Sequence, residues 1–357
     1  MDRSYDNLVD NDVKKAESGA AEKLTAGEAA EELTATEKLI AETASAKDEV
    51  QIRPASTPLP RTYVPVVRKR RWGDRRDGRR LHNITGMTKM MPFIMKNRSD
   101  GCNTYADEFD VTECDAFCKK MIRAGYKNFS FLHVMFAAYV RTVSQRPGIN
   151  RFVSGQRVYS RNSIQVNMVI KKEMKLSSPD TAVKVEFQPD DTIEEIYEKF
   201  NAIVEANKNS SELDSDFDGV VGKLASLPRP ILRTIVRLLF WLDYHGWIPK
   251  SLLDVSPFHG SMIITSMGSL GIRPIYHHIY DFGNLPIFLA YGIKLRRTHT
   301  GPDGKPVTRK YIEVKAVTDE RICDGYYYAS AFKYMRSLVE HPEALLRRPE
   351  KVYEDVD

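Results

Sequence analysis

The sequence predicts an α/β domain of two layers, a mixed sheet with helices on one face, and three observations carry that expectation. Stretches with a helical apolar period are interspersed with short alternating stretches from residue 110 onward. Alternating segments then gather late, between residues 261 and 320. One further helical segment, DGYYYASAFKYMRSLVEHPEALL, closes the domain. A mixture of helices and strands followed by a run of strands suits a sheet covered on one side. With 357 residues and 42% hydrophobic content, the chain can bury a sizeable core.

Taken in order, residues 1–60 read as a disordered, acidic, Ala/Glu-rich tail. Segments such as AAEKLTAGEAAEELTATEKLIAETASAKDE offer too little apolar surface for a core, although their residues favour a transient helix. Residues 61–80 form a basic linker, ending in VRKRRWGDRRDGRR after the proline-spaced RPASTPLPRTYVP. That run is either a phosphate or nucleic-acid patch, or a solvated arm that packs Trp72 on the domain and pairs with the acidic tail. The second reading is favoured, because no recognition fold surrounds the run.

The compact domain is expected over 81–346, with a C-terminal tail at 347–357. DVTECDAFCKKMIRAG is a helix that Asp110 or Thr112 can cap and Gly125 can end. NFSFLHVMFAAYVRTVSQRPG is apolar nearly all round, so it belongs inside. RVYSR, SIQVNMVIKK and TAVKVEF read as strands, and DDTIEEIYEKFNAIVEANK as an amphipathic helix with acids in its first turn. A helical insertion is expected at about 209–255, where SSELDSDFDG is a loop. There Ile231, Leu232, Ile235, Leu238, Leu239 and Leu242 share one helix face, and Arg229, Arg233 and Arg237 repeat every four residues on another. It is a membrane-surface helix, a lid, or a cover packed on the domain, with the cover favoured. SMIITSMGS, IYHHIYDFG, PIFLAYGIKLRR and RKYIEVKAVTDE read as strands, with TGPDGKP as a turn.

The net charge of +5 does not call for nucleic acid as a partner. Cys102, Cys114, Cys118 and Cys323 show no metal-ligand spacing, so no metal is expected, and reduced thiols are the default. The polar N-terminus has no signal-peptide segment, and no apolar stretch is long enough to span a bilayer. A cytoplasmic protein is the expectation.

Three segments carry chemistry: residues 129–170, residues 263–292 (with ITSMGSLG), and residues 318–346, which begin TDERICDG. In this order they resemble the catalytic domain of the dihydrolipoamide acyltransferases of 2-oxo acid dehydrogenase complexes, a fold shared with chloramphenicol acetyltransferase. The resemblance covers about 80–346. The family signature DHRxxDG stands here as Asp319-Glu320-Arg321-Ile322-Cys323-Asp324-Gly325. Neither a lipoyl domain nor a subunit-binding module is found upstream. The resemblance implies acyl transfer from coenzyme A to an unspecified acceptor, without a covalent lipoyl arm, in a homotrimer whose site lies between subunits. It implies that Asp324 fixes local geometry, that Ser266 or its neighbour Thr265 donates to the oxyanion, and that Glu320 occupies the place of the catalytic histidine.

Glutamate is a weaker base than histidine at neutral pH. Glu320 is therefore either an altered base or a structural residue in a dead site, and chemistry alone favours the latter. His277, His278 and His259 flank the Ser266 segment and could supply an imidazole or contact substrate. An ordinary strand or loop histidine is the commoner case for each. The contrasting reading is a non-catalytic oligomeric scaffold or binding protein that keeps the fold.

Overall fold

The structure is a computed structural model, and it describes residues 35–44, 52, 60–61, 63–64, 68–171, 180–209, 222 and 224–357. A six-stranded mixed sheet runs in the order β2 (Cys102–Asp110), β9 (Pro306–Asp319), β8 (Ile287–Thr300), β7 (Met262–Ser266), β5 (Ile164–Lys171), β6 (Asp180–Phe187). The β8–β7 and β7–β5 pairs are parallel and the others antiparallel. The α/β class and the mixed sheet are thus as expected. Alternation explains the layering. Ile312, Val314 and Ala316 of β9, Ile287 and Leu289 of β8, and Met262 and Ile264 of β7 point into one core with helices α3 (Thr112–Arg123), α4 (Phe131–Gln145) and α8 (Gly325–Glu340). On the other face, Ile263 and Phe288 meet Leu285 and Tyr280 from a loop.

Helix α4 is buried at every position except Leu132, and Ser130 caps it by exchanging hydrogen bonds with His133. Asp110 accepts from the Thr112 amide, and Gly125 ends the α3 region at φ +105°. The strands read as RVYSR, SIQVNMVIKK and TAVKVEF appear as β4 (Arg157–Arg161), β5 and β6, and α5 (Ile193–Asn209) follows.

Several expectations need correction. IYHHIYDFG is not a strand. A parallel β7–β8 pair needs a crossover, and this segment supplies it, lying across the sheet with His277 stacked on Phe288 instead of pairing in the ladder. The domain begins inside the basic linker: β1 (Gly78–Arg80) joins β4 and β3 (Arg151–Ser154) in a second, three-stranded sheet. Trp72 does not pack; it is 89% exposed. The arginines around it pair instead with the C-terminal residues: Arg68, Arg71 and Arg79 all reach Asp357.

Most of residues 1–60 lies outside the described residues, but 35–44 form a helix, α1, docked on the core through Leu39 and Ile40. Its buried Thr36 accepts from Arg146 at 2.8 Å and lies 2.8 Å from the Ser330 hydroxyl. Two apolar side chains and two buried threonines, Thr36 and Thr43, dock a segment whose composition suggests no docking. Most of the SSELDSDFDG loop lies outside the described residues. Within the insertion, α6 (Arg229–His245) sits beside β3, and α7 (Lys250–Val255) meets β6 through the Leu253 carbonyl, which accepts from Lys184 Nζ at 2.6 Å; before it in the chain, α2 (Gly86–Ile94) packs on β4. Only Leu232, Ile235, Leu239, Leu242 and Asp243 of α6 face inward; Ile231 and Leu238, expected on the same face, are half exposed.

Candidate active site

The signature loop joins β9 to α8. Asp319 and Arg321 are buried at 1% and 3% exposure and clasp each other. Arg321 Nε donates to Asp319 Oδ1 at 2.8 Å and Nη2 to Oδ2 at 2.7 Å, and the Arg321 amide also donates to Oδ1 at 3.1 Å. This two-pronged geometry is the strong form of a charged hydrogen bond. Gly101 allows it, since a Cβ there would come within 2.9 Å of the Arg321 side chain. Asp324 caps α8, accepting from the Tyr327 amide at 2.8 Å. Glu320 sits between these fixtures, half-buried, its amide donating to the Gly101 carbonyl at 2.8 Å. Arg321 is therefore spent on Asp319 and not on Glu320.

Ser266 and Thr265 end β7. Ser266 pairs in register with Tyr291 and bonds to its side chain. Burial pushes the Tyr291 hydroxyl pKa up. Tyr291 in turn faces Val314, six positions before Glu320 on the β9 strand and its extension. At about 3.3 Å per residue that is at most roughly 20 Å, so within one chain Glu320 lies well along the sheet from Ser266.

The histidines divide. His277 and His278 stack at 4.6 Å in the crossover loop, and His277 lies flat on Phe288 at 3.9 Å. Burial lowers the His277 pKa. Two residues on, Ile279 meets the Cys102 thiol, and Cys102 pairs with Asp319. The pair thus lies toward the Glu320 end of the sheet. His259 does not fit the substrate-contact role expected for it: it is 2% exposed, with Nδ1 2.8 Å from Ser256 Oγ and Nε2 3.4 Å from Asp243 Oδ1. Burial lowers its pKa, against the pull of Asp243. Asp243 is drawn below the usual carboxylate range, burial notwithstanding, by His259 and by Arg75. The group pins α6 to the domain.

Two features escaped the sequence. Arg98 is 4% exposed, its Nη1 on the Leu285 carbonyl at 2.6 Å, and burial lowers its pKa to about 10. Nothing in KNRSDG marks it. The second is a cavity of about 1160 Å³ beside the basic linker, lined by ten Lys and Arg against five Asp and Glu. Its cations were visible in the run 67–80, but not their convergence with Arg161 and Lys250. Arg151 links this cavity to the signature loop, holding the wall residue Asp355 at 2.6 and 2.8 Å and the Ile322 carbonyl at 3.3 Å. Among the described residues, no group of His, Cys, Asp and Glu could hold a metal, and no helix is long and apolar enough to cross a membrane.

No family model matches the sequence, and no curated protein matches it. Solved structures do. A probable dihydrolipoamide acetyltransferase from Listeria monocytogenes is 12% identical over 74% of this chain and 95% of its own, with a TM-score of 0.47. A chloramphenicol acetyltransferase is 12% identical over 71% and 96%, at 0.47. A truncated catalytic core of the 2-oxoacid dehydrogenase multienzyme complex from Thermoplasma acidophilum is 15% identical over 74% and 99%, at 0.45. These are the kinds of protein that the three sequence segments resemble.

Proposed function

We propose that this chain is a coenzyme A-dependent acyltransferase whose site forms between copies, in a trimer or a multiple of three. The observation that carries the reading is the frame around Glu320. The Asp319–Arg321 clasp and the Asp324 cap fix the loop on both sides. Among the described residues, no such partner holds the Glu320 carboxylate that lies between them. Glu320 would take the proton from the acceptor's thiol or hydroxyl as that atom attacks the acyl carbonyl. Ser266, or Thr265, would donate to the oxyanion, and coenzyme A would leave as the thiol after accepting the proton. Because one chain separates Glu320 from Ser266, they can meet only across a subunit boundary. The basic cavity, tied to the loop through Arg151, offers cations for the phosphates of an acyl carrier.

A second reading, a non-catalytic scaffold, rests on the same clasp and cap. Both serve folding, so the motif would persist without chemistry. Complementation separates the two. Glu320→Gln and Ser266→Ala chains, each impaired alone, should regain transfer from acyl-coenzyme A when co-assembled, because mixed interfaces restore one intact site. Wild-type protein at the buffer rate with every acyl-coenzyme A tried would favour the scaffold.

A further inference from the structure

Helix α6 presents a surface that the fold does not use. Its one carboxylate, Asp243, is turned inward and held by Arg75 at 3.1 Å and by His259. The outward surface therefore carries Arg229, Arg233 and Arg237, all exposed, with no acid among them, and exposed Lys250 follows at the start of α7. Beside the arginine row runs an apolar one: Ile231 is 50% exposed, Leu238 52%, Trp241 48%, and Trp247, just past the helix, 59%. The two tryptophan rings meet edge to face at 5.2 Å. A helix has three sides here: one buried in the domain, one cationic, one apolar and aromatic.

We infer that this face docks on an anionic lipid surface, with Ile231, Leu238, Trp241 and Trp247 entering the interfacial zone and the arginines reaching headgroup phosphates. The pattern fits that partner chemically. Tryptophan favours the headgroup level of a bilayer, and arginine extends an apolar stem while its head stays with phosphate. A second copy of this chain fits less well. The middles of protein interfaces are depleted in charge, whereas this face carries a row of arginines. This inference is independent of the acyltransfer reading.

Full-length protein is sedimented with phosphatidylcholine vesicles and with phosphatidylcholine–phosphatidylglycerol vesicles. Binding is expected to the anionic vesicles alone, weakening as salt rises. Arg233→Ala with Arg237→Ala should weaken it about 30-fold, from about 1 kcal/mol per cation at an anionic surface and 1.4 kcal/mol per tenfold. Leu238→Glu should abolish it, and vesicles should shift tryptophan emission to the blue in the wild type only. All three positions are exposed, and thermal unfolding checks that each variant folds. Absence of wild-type binding overturns the inference, as does equal binding by the variants. It is likewise overturned if Leu238→Glu changes the assembly mass while no vesicle binds, or if single-stranded oligonucleotide binds in place of lipid.

Discussion

Arg321→Met tests the clasp that frames Glu320. The change removes the guanidinium and keeps an unbranched apolar stem. Asp319 would then stay buried, its side chain 1% exposed, with the Arg321-position amide as its remaining near partner from the clasp. Breaking a buried pair in this way costs about 3–5 kcal/mol, against about 0–1 kcal/mol for an exposed pair. For a domain of this size, about 2–4 °C of melting temperature follows each kcal/mol, so a fall of roughly 10 °C is expected. Replacing both partners, Asp319→Leu with Arg321→Met, should recover much of the loss, because no buried charge remains. Thermal unfolding by circular dichroism at neutral pH, run as a double-mutant cycle, reads the effect. A single-mutant fall within the exposed-pair range would refute the reasoning, and so would a double mutant that loses the sum of the two singles.

Other outcomes follow from particular contacts. His133 is 3% exposed, and burial lowers its pKa from 6.5 to about 4, so the unfolded chain binds the proton first as pH falls. Its contribution to stability is full above about pH 6.5 and declines towards pH 4, by roughly 3 kcal/mol; His133→Asn should flatten that part of a denaturant–pH profile. Asp324→Ala removes the α8 cap and should cost about 1 kcal/mol, read by urea unfolding; no change would mean the cap is redundant. Deleting residues 1–50 removes α1 and its Thr36 bonds, so the melting temperature should fall, whereas an unchanged value would show the docking to be idle. In active protein, Ser266→Ala should lower turnover about 10²- to 10³-fold, and an unchanged rate would move the oxyanion role to Thr265.

Much of the fold was legible because periodicity reports burial. The all-round apolar run at 129–145 became the most buried helix, and the alternation in PIFLAYGIKLRR and RKYIEVKAVTDE became the long β8–β9 pair. IYHHIYDFG misled for a physical reason. A chain lying flat across a sheet alternates contacts much as a paired strand does, and sequence does not record which backbone amides are bonded. Helix α1 was hidden because composition averages over a window, while docking rests on a few residues, Leu39, Ile40, Thr36 and Thr43 among them. At the site, the roles of Asp319 and Arg321 as one clasped pair were not readable. Their two-residue spacing is plain in the sequence, but the side-chain geometry that lets them grip each other comes from the turn after β9. The inward side of α6 was narrower than its apolar residues suggested, which is why Leu238 and Ile231 are left outside.

The central claim is that the Glu320 carboxylate serves as the base in acyl transfer. The most direct test compares wild type, Glu320→Gln and Glu320→His by initial rates of coenzyme A release from acyl-coenzyme A with a thiol acceptor, across pH. Wild-type release above the buffer blank is expected, with Glu320→Gln falling to the blank while still binding coenzyme A, and Glu320→His retaining or raising the rate near neutral pH, where imidazole is the better-matched base. A Glu320→Gln rate equal to wild type, or a wild-type rate equal to the blank with every acyl-coenzyme A, would contradict it.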